Sequence, residues 1–341
     1  MNKCYHRELN ILGIETSCDD TCAAVVCDGR KLLSNVVASQ NDIHEKYGGV
    51  VPELASRRHI EMIDIIISEA MLQSGISLDD IGAVSVTSRP GLIGSLLVGV
   101  GAAKAIAYAK KIPLIAINHL KAHLFSNILI NPDMGGGFIG LIVSGGHSSL
   151  YKVENDWTIT EIGHTVDDAA GEAFDKIARF LGLGYPGGPV IDRLAKQGDS
   201  KAVLMPRPMI ESGDFNFSFS GLKTAVIYKV KKDPAIKKAE NIADLAASFQ
   251  EAIADVLVEK TVKACRKYGY SRILVSGGVA ANSRIRQLFI NRASAENIEL
   301  FIPPVYLCMD NAAMVACLGY HEYVVGNFAH AGLDVYSKSD I

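Results

Sequence analysis

Two stretches of the chain are nearly alike, and each is a buried-strand pattern that stops at Ser-Gly-Gly. Residues 141–149 read Leu-Ile-Val-Ser-Gly-Gly-His-Ser-Ser, and residues 273–282 read Ile-Leu-Val-Ser-Gly-Gly-Val-Ala-Ala-Asn. A short apolar run that ends at glycine is typical of a strand that delivers a turn at its carboxyl end. Because glycine has no Cβ, the backbone N–H groups of such a turn can approach a phosphate closely. Two such turns predict a nucleotide held between two lobes.

A longer repeat supports this division. Residues 10–27 read as strand, polar turn and strand, and residues 138–153 follow the same plan. A duplicated hairpin that opens each half places a domain boundary near the linker at 131–137. Helical periodicity fills the intervals, at 57–73, 92–109, 168–181, 244–265, 283–291 and 310–325. Alternating strands and helices predict an α/β protein with two similar halves.

Composition indicates a globular enzyme. The 341 residues are enough for two domains, and the hydrophobic and charged fractions, 49% and 21%, are ordinary. No apolar run approaches the ~18 residues of a membrane span. The segment 1–8 does not lead into a signal-peptide core, so we expect a cytoplasmic location. Seven scattered cysteines without a CxxC pair predict reduced thiols rather than disulfides or a Cys-type zinc site.

A pair of histidines is the first candidate for chemistry. Asn118 is a good helix N-cap, and His119 and His123 follow it at spacing i, i+4, on one helix face. Two imidazoles so placed can reach one metal ion, although capped or surface histidines are the commoner outcome of this pattern. An open site needs a third ligand, usually a carboxylate. Asp310, at a loop-to-helix junction, is a candidate, with a plain N-cap as the alternative.

Further polar residues flank the glycine turns. Glu15, at the end of the first strand, is the candidate general base, with a turn-forming role as the alternative. Asp175 lies beside the 185–189 loop, where it can accept hydrogen bonds from hydroxyls or pair with a neighbouring cation. Asn282 suits a base or sugar edge, and equally an N-cap.

The net charge of −3 gives no sign of a nucleic-acid partner, so a local patch or another subunit must supply positive charge. Lys223 and the lysine-rich segment 229–238 are candidate phosphate contacts. The segment is more simply interpreted as a solvated surface loop.

Seven motifs together resemble one known family, the TsaD (Gcp/YgjD) family of bacterial tRNA N6-adenosine threonylcarbamoyltransferases. They lie in the expected order between about residues 10 and 325, and only Arg89, where the family more often has glycine, departs from the pattern. The motifs occupy residues 13–21, 48–57, 118–123, 143–147, 171–176, 217–224 and 310–314.

The resemblance implies a two-lobed actin/Hsp70/sugar-kinase (ASKHA) fold, with duplicated βββαβα halves around a nucleotide cleft. The N-terminal lobe would be 1–130, completed by the helix at 310–341, and the C-terminal lobe 131–309. The implied metal ligands are His119, His123 and Asp310, with Fe²⁺ favoured and Zn²⁺ the alternative. Threonylcarbamoyl-AMP would be held by Val143, Ser144, Gly145, Gly146, His147, Asp175, Gly188, Asp192 and Asn282.

The implied reaction transfers the threonylcarbamoyl group to the N6 amine of adenosine 37, beside the anticodon, in tRNAs that read codons beginning with adenine. The implied partners are tRNA, a TsaB-like paralogue and a TsaE-like ATPase; a homodimer is a further possibility for the isolated chain. Three alternatives compete: a metalloprotease, which lacks the glutamate of HExxH, a small-molecule kinase of the same fold, and a nucleotide-dependent interaction module.

Overall fold

The computed structural model describes residues 8–238 and 241–338. Within them two compact units form, each from separate pieces of chain. The N-terminal unit takes residues 8–44, 50–134 and 310–338, and the central unit takes 45–49 and 135–309. Residues 1–7, which include Cys4 and most of the segment that gave no sign of a signal peptide, lie outside the described residues. So do residues 339–341, the end of the helix predicted at 310–341.

Each unit contains one five-stranded mixed sheet, and the two sheets have the same topology. The N-terminal sheet has the order β3-β2-β1-β4-β5, and the central sheet has the order β8-β7-β6-β9-β10. In both, three antiparallel strands precede two parallel ones. The strands are β1 (Asn10–Glu15), β2 (Asp20–Cys27), β3 (Lys31–Ser39), β4 (Ile81–Arg89), β5 (Leu114–Asn118), β6 (Phe138–Val143), β7 (Ser148–Val153), β8 (Ile159–His164), β9 (Arg272–Ser276) and β10 (Glu299–Phe301).

The helices alternate with these strands, which confirms the predicted α/β class and its duplication. All six predicted helical intervals are helical, with ends that differ by a few residues from the prediction. The helices are α1 (Asn41–His44), α2 (Pro52–Ser74), α3 (Ile93–Lys110), α4 (His119–Ile130), α5 (Ala170–Leu181), α6 (Gly187–Ala195), α7 (Ser220–Lys232), α8 (Ile242–Tyr268), α9 (Ser283–Ala295), α10 (Val305–Cys308) and α11 (Ala312–Val324).

Helix α11 packs unusually close to the N-terminal sheet because two glycines make room for it. A Cβ on Gly13 in β1 would lie 2.4 Å from the carbonyl oxygen of Ala312. A Cβ on Gly319 in α11 would lie 2.5 Å from the side chain of Ser85 in β4. Any larger residue at either position would push helix and sheet apart. The seam brings Asp310, two residues before α11, to the end of β1.

Helix α3 corrects one expectation from the sequence. By length and composition its 18 residues could cross a membrane, although no uninterrupted apolar run suggested it. One face of the helix, with Leu96, Val100 and Ala103, packs into the core that contains Leu12 and Val84 of the sheet. Core helices of globular proteins meet the same length and composition criterion, and the packed face of α3 is that of a core helix.

Candidate metal centre and substrate-binding residues

The paired histidines open helix α4. The Asn118 side-chain oxygen accepts hydrogen bonds from the N–H groups of Leu120 and Lys121, at 2.9 and 3.1 Å, and so caps the helix. The cap starts the helix at His119, which puts His123 one turn later on the same face. Both side chains are buried, and their ring centroids are 4.6 Å apart.

Asp310 meets these imidazoles from the other end of the chain. Its Oδ1 lies 3.2 Å from Nε2 of His123 and 3.6 Å from Nε2 of His119. The three candidate ligand atoms all lie within 4.8 Å of one another. Asn311, not Asp310, is the N-cap of α11, since its side chain accepts the N–H of Met314. The N-cap alternative for Asp310 is therefore wrong.

The hydrogen bonding of the two buried His123 nitrogens indicates whether a metal ion fits between these residues. Neither meets a hydrogen-bond partner among the described residues, although Nε2 lies 3.2 Å from Asp310 Oδ1, within ion-pair distance. An unpaired, fully buried polar group is costly. A divalent ion about 2 Å from each ligand would give His123 Nε2 a bonding partner. Imidazole and carboxylate are ligands that Zn²⁺ and Fe²⁺ accept. The residues thus fit a metal.

A buried carboxylate holds the other ring nitrogen of His119. Glu15 Oε2 lies 2.9 Å from His119 Nδ1 and accepts the Thr87 hydroxyl at 2.6 Å. Glu15 Oε1 accepts the N–H of Ser17 at 2.5 Å. Sequence reasoning did not identify Thr87 or Ser17; the available signal was a polar residue near the carboxyl end of an otherwise buried strand, β4.

The protein gives this region a negative potential. Burial lowers the pKa of His119, but the charges of Glu15 and Asp310 outweigh it and raise that pKa to about 9. Burial raises the pKa of Glu15, but the charge of His119 and its hydrogen bond reverse the shift, and the net pKa is lowered. Burial lowers the pKa of His123. A field that favours an imidazolium also favours a metal cation.

The same negative field acts on neighbouring acidic groups. Burial, together with the charges of Asp310 and Asp19, raises the pKa of Asp20 to about 7. Burial and the same carboxylates raise the pKa of the Cys18 and Cys22 thiols well above the usual range. A protonated, buried thiol is a poor nucleophile, which agrees with a mechanism that uses no cysteine.

The first Ser-Gly-Gly turn is open. Val143, the last residue of β6, is buried, while Gly145 and Gly146 are exposed. The turn is closed by two bonds between Ser144 and His147: the Ser144 N–H donates to the His147 carbonyl at 2.8 Å, and the His147 N–H donates to Ser144 Oγ at 3.2 Å. No heavy atom lies within 4 Å of a Cβ built on Gly145 or Gly146. The Cβ positions of both glycines therefore face open space.

The second turn is closed by packing. Gly277 has φ +94°, and a Cβ there would lie 2.3 Å from the Val143 carbonyl oxygen. Asn282, a few residues later, caps α9 by accepting the N–H groups of Arg284 and Ile285. Its Nδ2 donates to Gln250 Oε1 at 2.7 Å. The N-cap alternative for Asn282 is thus present, and Nδ2 has one further hydrogen to donate.

The remaining predicted binding residues lie around helix α6. Asp175 Oδ1 accepts the N–H of Gly187, where α6 begins, at 2.7 Å. Gly188 has no heavy atom within 4 Å of a built Cβ. Asp192 Oδ1 accepts the Ser283 hydroxyl at 2.8 Å, which ties α6 to the start of α9. Together with the first turn, these residues belong to the central unit.

The lysine-rich segment corrects the sequence prediction of a surface loop. Lys229, Lys231 and Lys232 form the last turn of α7, and a short 3₁₀ helix, Pro234–Lys237, follows. Lys223 is ion-paired, with its Nζ 2.6 Å from Asp168 Oδ2. Any nucleic-acid contact by Lys223 would have to compete with that carboxylate.

Comparison with known proteins decides the family. The family TsaD, tRNA N6-adenosine threonylcarbamoyltransferase, matches residues 31–317. This chain belongs to the TsaD family. A TsaD-family relative from Syntrophus aciditrophicus, named tRNA N6-adenosine threonylcarbamoyltransferase, is 54% identical over 96% of both chains. Relatives of the same name from Geobacter sulfurreducens and Caldicellulosiruptor bescii are each 50% identical, over 95% and 93% of this chain and 95% and 94% of their own.

Solved structures confirm the fold of this TsaD-family chain. HypF from T. kodakarensis superimposes with a TM-score of 0.62 at 15% identity, over 96% of this chain and 49% of its own. Component A of the (R)-2-hydroxyglutaryl-CoA dehydratase from Acidaminococcus fermentans gives 0.56 at 16% identity, over 93% and 99%. At such identities the likeness shows the fold alone, and it confirms the predicted ASKHA type.

Proposed function

We propose that this chain transfers a threonylcarbamoyl group from threonylcarbamoyl-AMP to the N6 amine of adenosine 37 in tRNAs that read codons beginning with adenine. In this reaction the amine nitrogen forms a bond to the carbamoyl carbon, the bond from that carbon to the AMP phosphate oxygen breaks, and the amine loses one proton. The observation that carries the proposal is the family match along nearly the whole chain. AMP leaves as a phosphate anion, so orienting the reactants is the main task.

His119, His123 and Asp310 are the proposed ligands of one divalent ion, iron in preference to zinc. Such an ion supplies Lewis-acid polarisation of oxygens on the threonylcarbamoyl unit. The support from this chain is the convergence of the three ligand atoms and the unpaired nitrogens of His123.

The first Ser-Gly-Gly turn is the proposed phosphate cradle. The support is that Gly145 and Gly146 are exposed and that no acceptor among the described residues pairs with their N–H groups. Two such N–H groups can donate to phosphate oxygens without a side chain in the way. Asp175, Gly188, Asp192 and Asn282 are the proposed contacts to the rest of the adenylate.

Partners complete the proposal. We expect a cytoplasmic protein that binds tRNA and acts with a smaller TsaB-like paralogue and a TsaE-like ATPase, or forms a homodimer when alone. Ile60 on α2 and Leu97 on α3 are exposed, and this apolar surface is one that a paralogue or a second copy could cover. Because the net charge is −3, part of the positive field for tRNA would come from a partner.

The test is mass spectrometry of tRNA nucleosides after incubation with threonine, bicarbonate, ATP and the two partner proteins. We expect threonylcarbamoyladenosine with the wild type and none with the double variant His119→Ala/His123→Ala, which should also lose its metal in elemental analysis. Lys121→Ala, between the two histidines on α4, is the matched control and should keep both. Full activity in a metal-free double variant would reject the role of the metal. Peptide cleavage without the tRNA product would favour the protease alternative, and phosphorylation of a small molecule without that product would favour the kinase alternative.

A further inference from the structure

The two proposed metal-binding histidines differ in how the protein holds them. His119 Nδ1 lies 2.9 Å from a buried carboxylate oxygen of Glu15, whereas neither nitrogen of His123 has a hydrogen-bond partner among the described residues. Histidine ligands to metals usually donate their second N–H to a carboxylate or carbonyl, which fixes both the tautomer and the ring orientation. Only His119 has such a partner.

We propose that Glu15 is a positioning residue for the metal centre: it accepts the Nδ1–H of His119 and thereby directs the Nε2 lone pair of that ring toward the ion. The inference rests on the proposed function, because it requires the ion to bind there. It replaces the general-base role that we predicted for Glu15 from the sequence.

Glu15 is itself held at two points. The Thr87 hydroxyl donates to Oε2 at 2.6 Å and the Ser17 N–H donates to Oε1 at 2.5 Å. Thr87 comes from β4, the strand paired with β1, and both side chains have no exposed surface. Hydrogen bonds from two neutral donors and one imidazole restrict rotation of the Glu15 carboxylate. The carboxylate in turn restricts rotation of the His119 imidazole.

The same contacts argue against a general base. A base must come within about 3 Å of the amine proton that it removes, directly or through one water. Glu15 is fully buried, and both its oxygens already accept hydrogen bonds. Reaching a substrate would break the bond to His119 and leave a buried charge with fewer partners, which is strongly unfavourable.

The competing explanation is that Glu15 only stabilises the turn after β1 through the Ser17 N–H. Two variants separate the explanations. Glu15→Gln keeps the shape but removes the charge. Thr87→Val leaves Glu15 in place and removes one of the donors that orient it. Thr21→Val is the matched control, because the Thr21 hydroxyl also contacts a buried histidine, His59, at 2.7 Å, and His59 does not belong to the candidate metal group.

The measurement is a titration with Co²⁺ that is monitored by calorimetry, which gives the affinity, and by visible absorption, which reports coordination geometry. Neither readout requires turnover. We expect Co²⁺ affinity to fall about 10- to 100-fold in Glu15→Gln, with an altered spectrum. Thr87→Val should show a smaller loss in the same direction, and Thr87→Ser should restore the wild-type values. Thr21→Val should bind as the wild type does.

The outcomes are distinct. Wild-type affinity and spectrum in both Glu15→Gln and Thr87→Val would overturn the positioning role while the metal site stands. Should the wild type itself bind no Co²⁺, or bind it equally after His119→Ala/His123→Ala, then the metal site fails and this inference falls with it. If Glu15→Gln does not fold, as judged by thermal unfolding, the Thr87 series decides: an unchanged Thr87→Val rejects the proposal.

Discussion

The turns at 144–146 and 276–278 have the same three residues after a buried strand, but their glycines serve different purposes. In the first turn the glycines are exposed and their Cβ positions are empty, which leaves room for a ligand. In the second, Gly277 combines a positive φ with contact against the backbone of Val143. In the first turn the missing side chains leave open space, and in the second the missing side chain permits close packing. Identical motifs thus need separate tests.

The strongest test of the comparison is Gly277→Ala. A methyl group would overlap the Val143 carbonyl oxygen, 2.3 Å away, in a backbone conformation unfavourable to alanine. We expect a loss of about 3 kcal/mol or more in the free energy of unfolding, measured by urea denaturation. Gly278→Ala is the control, since its nearest atom is the flexible Met309 sulfur at 3.3 Å. Equal stability of Gly277→Ala and wild type would contradict the packing role.

Gly145→Ala tests the other half of the comparison. The residue has no positive φ and an empty Cβ position, so the free energy of unfolding should change by less than about 0.5 kcal/mol. A methyl group in a phosphate cradle should nevertheless weaken AMP binding about 10-fold, or ~1.4 kcal/mol, by calorimetry. Unchanged AMP affinity would remove this turn from the binding site.

Acid should loosen the surroundings of the first turn and leave the second intact. Helix α5 packs on the first turn, where the Gly171 N–H donates to the Ser144 carbonyl at 3.2 Å. Asp168, just before α5, accepts hydrogen bonds from Lys176 and Lys223 at 2.8 and 2.6 Å. Burial raises the pKa of Asp168, but the two lysines outweigh it and the net pKa is lowered.

A lowered folded-state pKa means that the stabilisation is complete above the unfolded-state pKa, about 4, and is lost as the pH falls through the folded-state value. We expect Asp168→Asn to cost about 1 kcal/mol at pH 7 and to flatten the pH dependence of unfolding below pH ~4. Amide hydrogen exchange at pH 7 should quicken at Ser144 and His147, whose N–H groups are hydrogen-bonded, and not at 276–278. The opposite pattern would contradict the assignment of α5 to the first turn.

The sequence predicted those parts of the fold that depend on local pattern. Both opening hairpins are apolar strands with clear turns, and they were located to within about a residue of β1, β2, β6 and β7. The third strand of each half, implied by the family fold, was not located in the sequence, because the residues of β3 and β8 are mostly half-exposed or exposed and resemble surface segments.

The site was predictable in proportion to its locality. The histidine pair follows from helical spacing, whereas the choice of Asp310 as the third ligand over a plain N-cap required the family resemblance. Thr87 and the conformation of Gly277 depend on contacts between separate strands, for which no single segment carries a signal. The three metal ligands that the resemblance implies lie together. The unequal hydrogen bonding of His119 and His123, however, is visible only in three dimensions.

The glycine seam under α11 also bears on synthesis of the protein. Because Gly13 and Gly319 let α11 pack on β1, the packing of β1 can be completed only after the residues of α11 have been synthesised. A nascent chain on the ribosome has both histidines long before it has Asp310. We therefore expect the complete three-ligand set only after Asp310 has been synthesised, and a product released before that point would carry an imidazole pair that lacks its carboxylate.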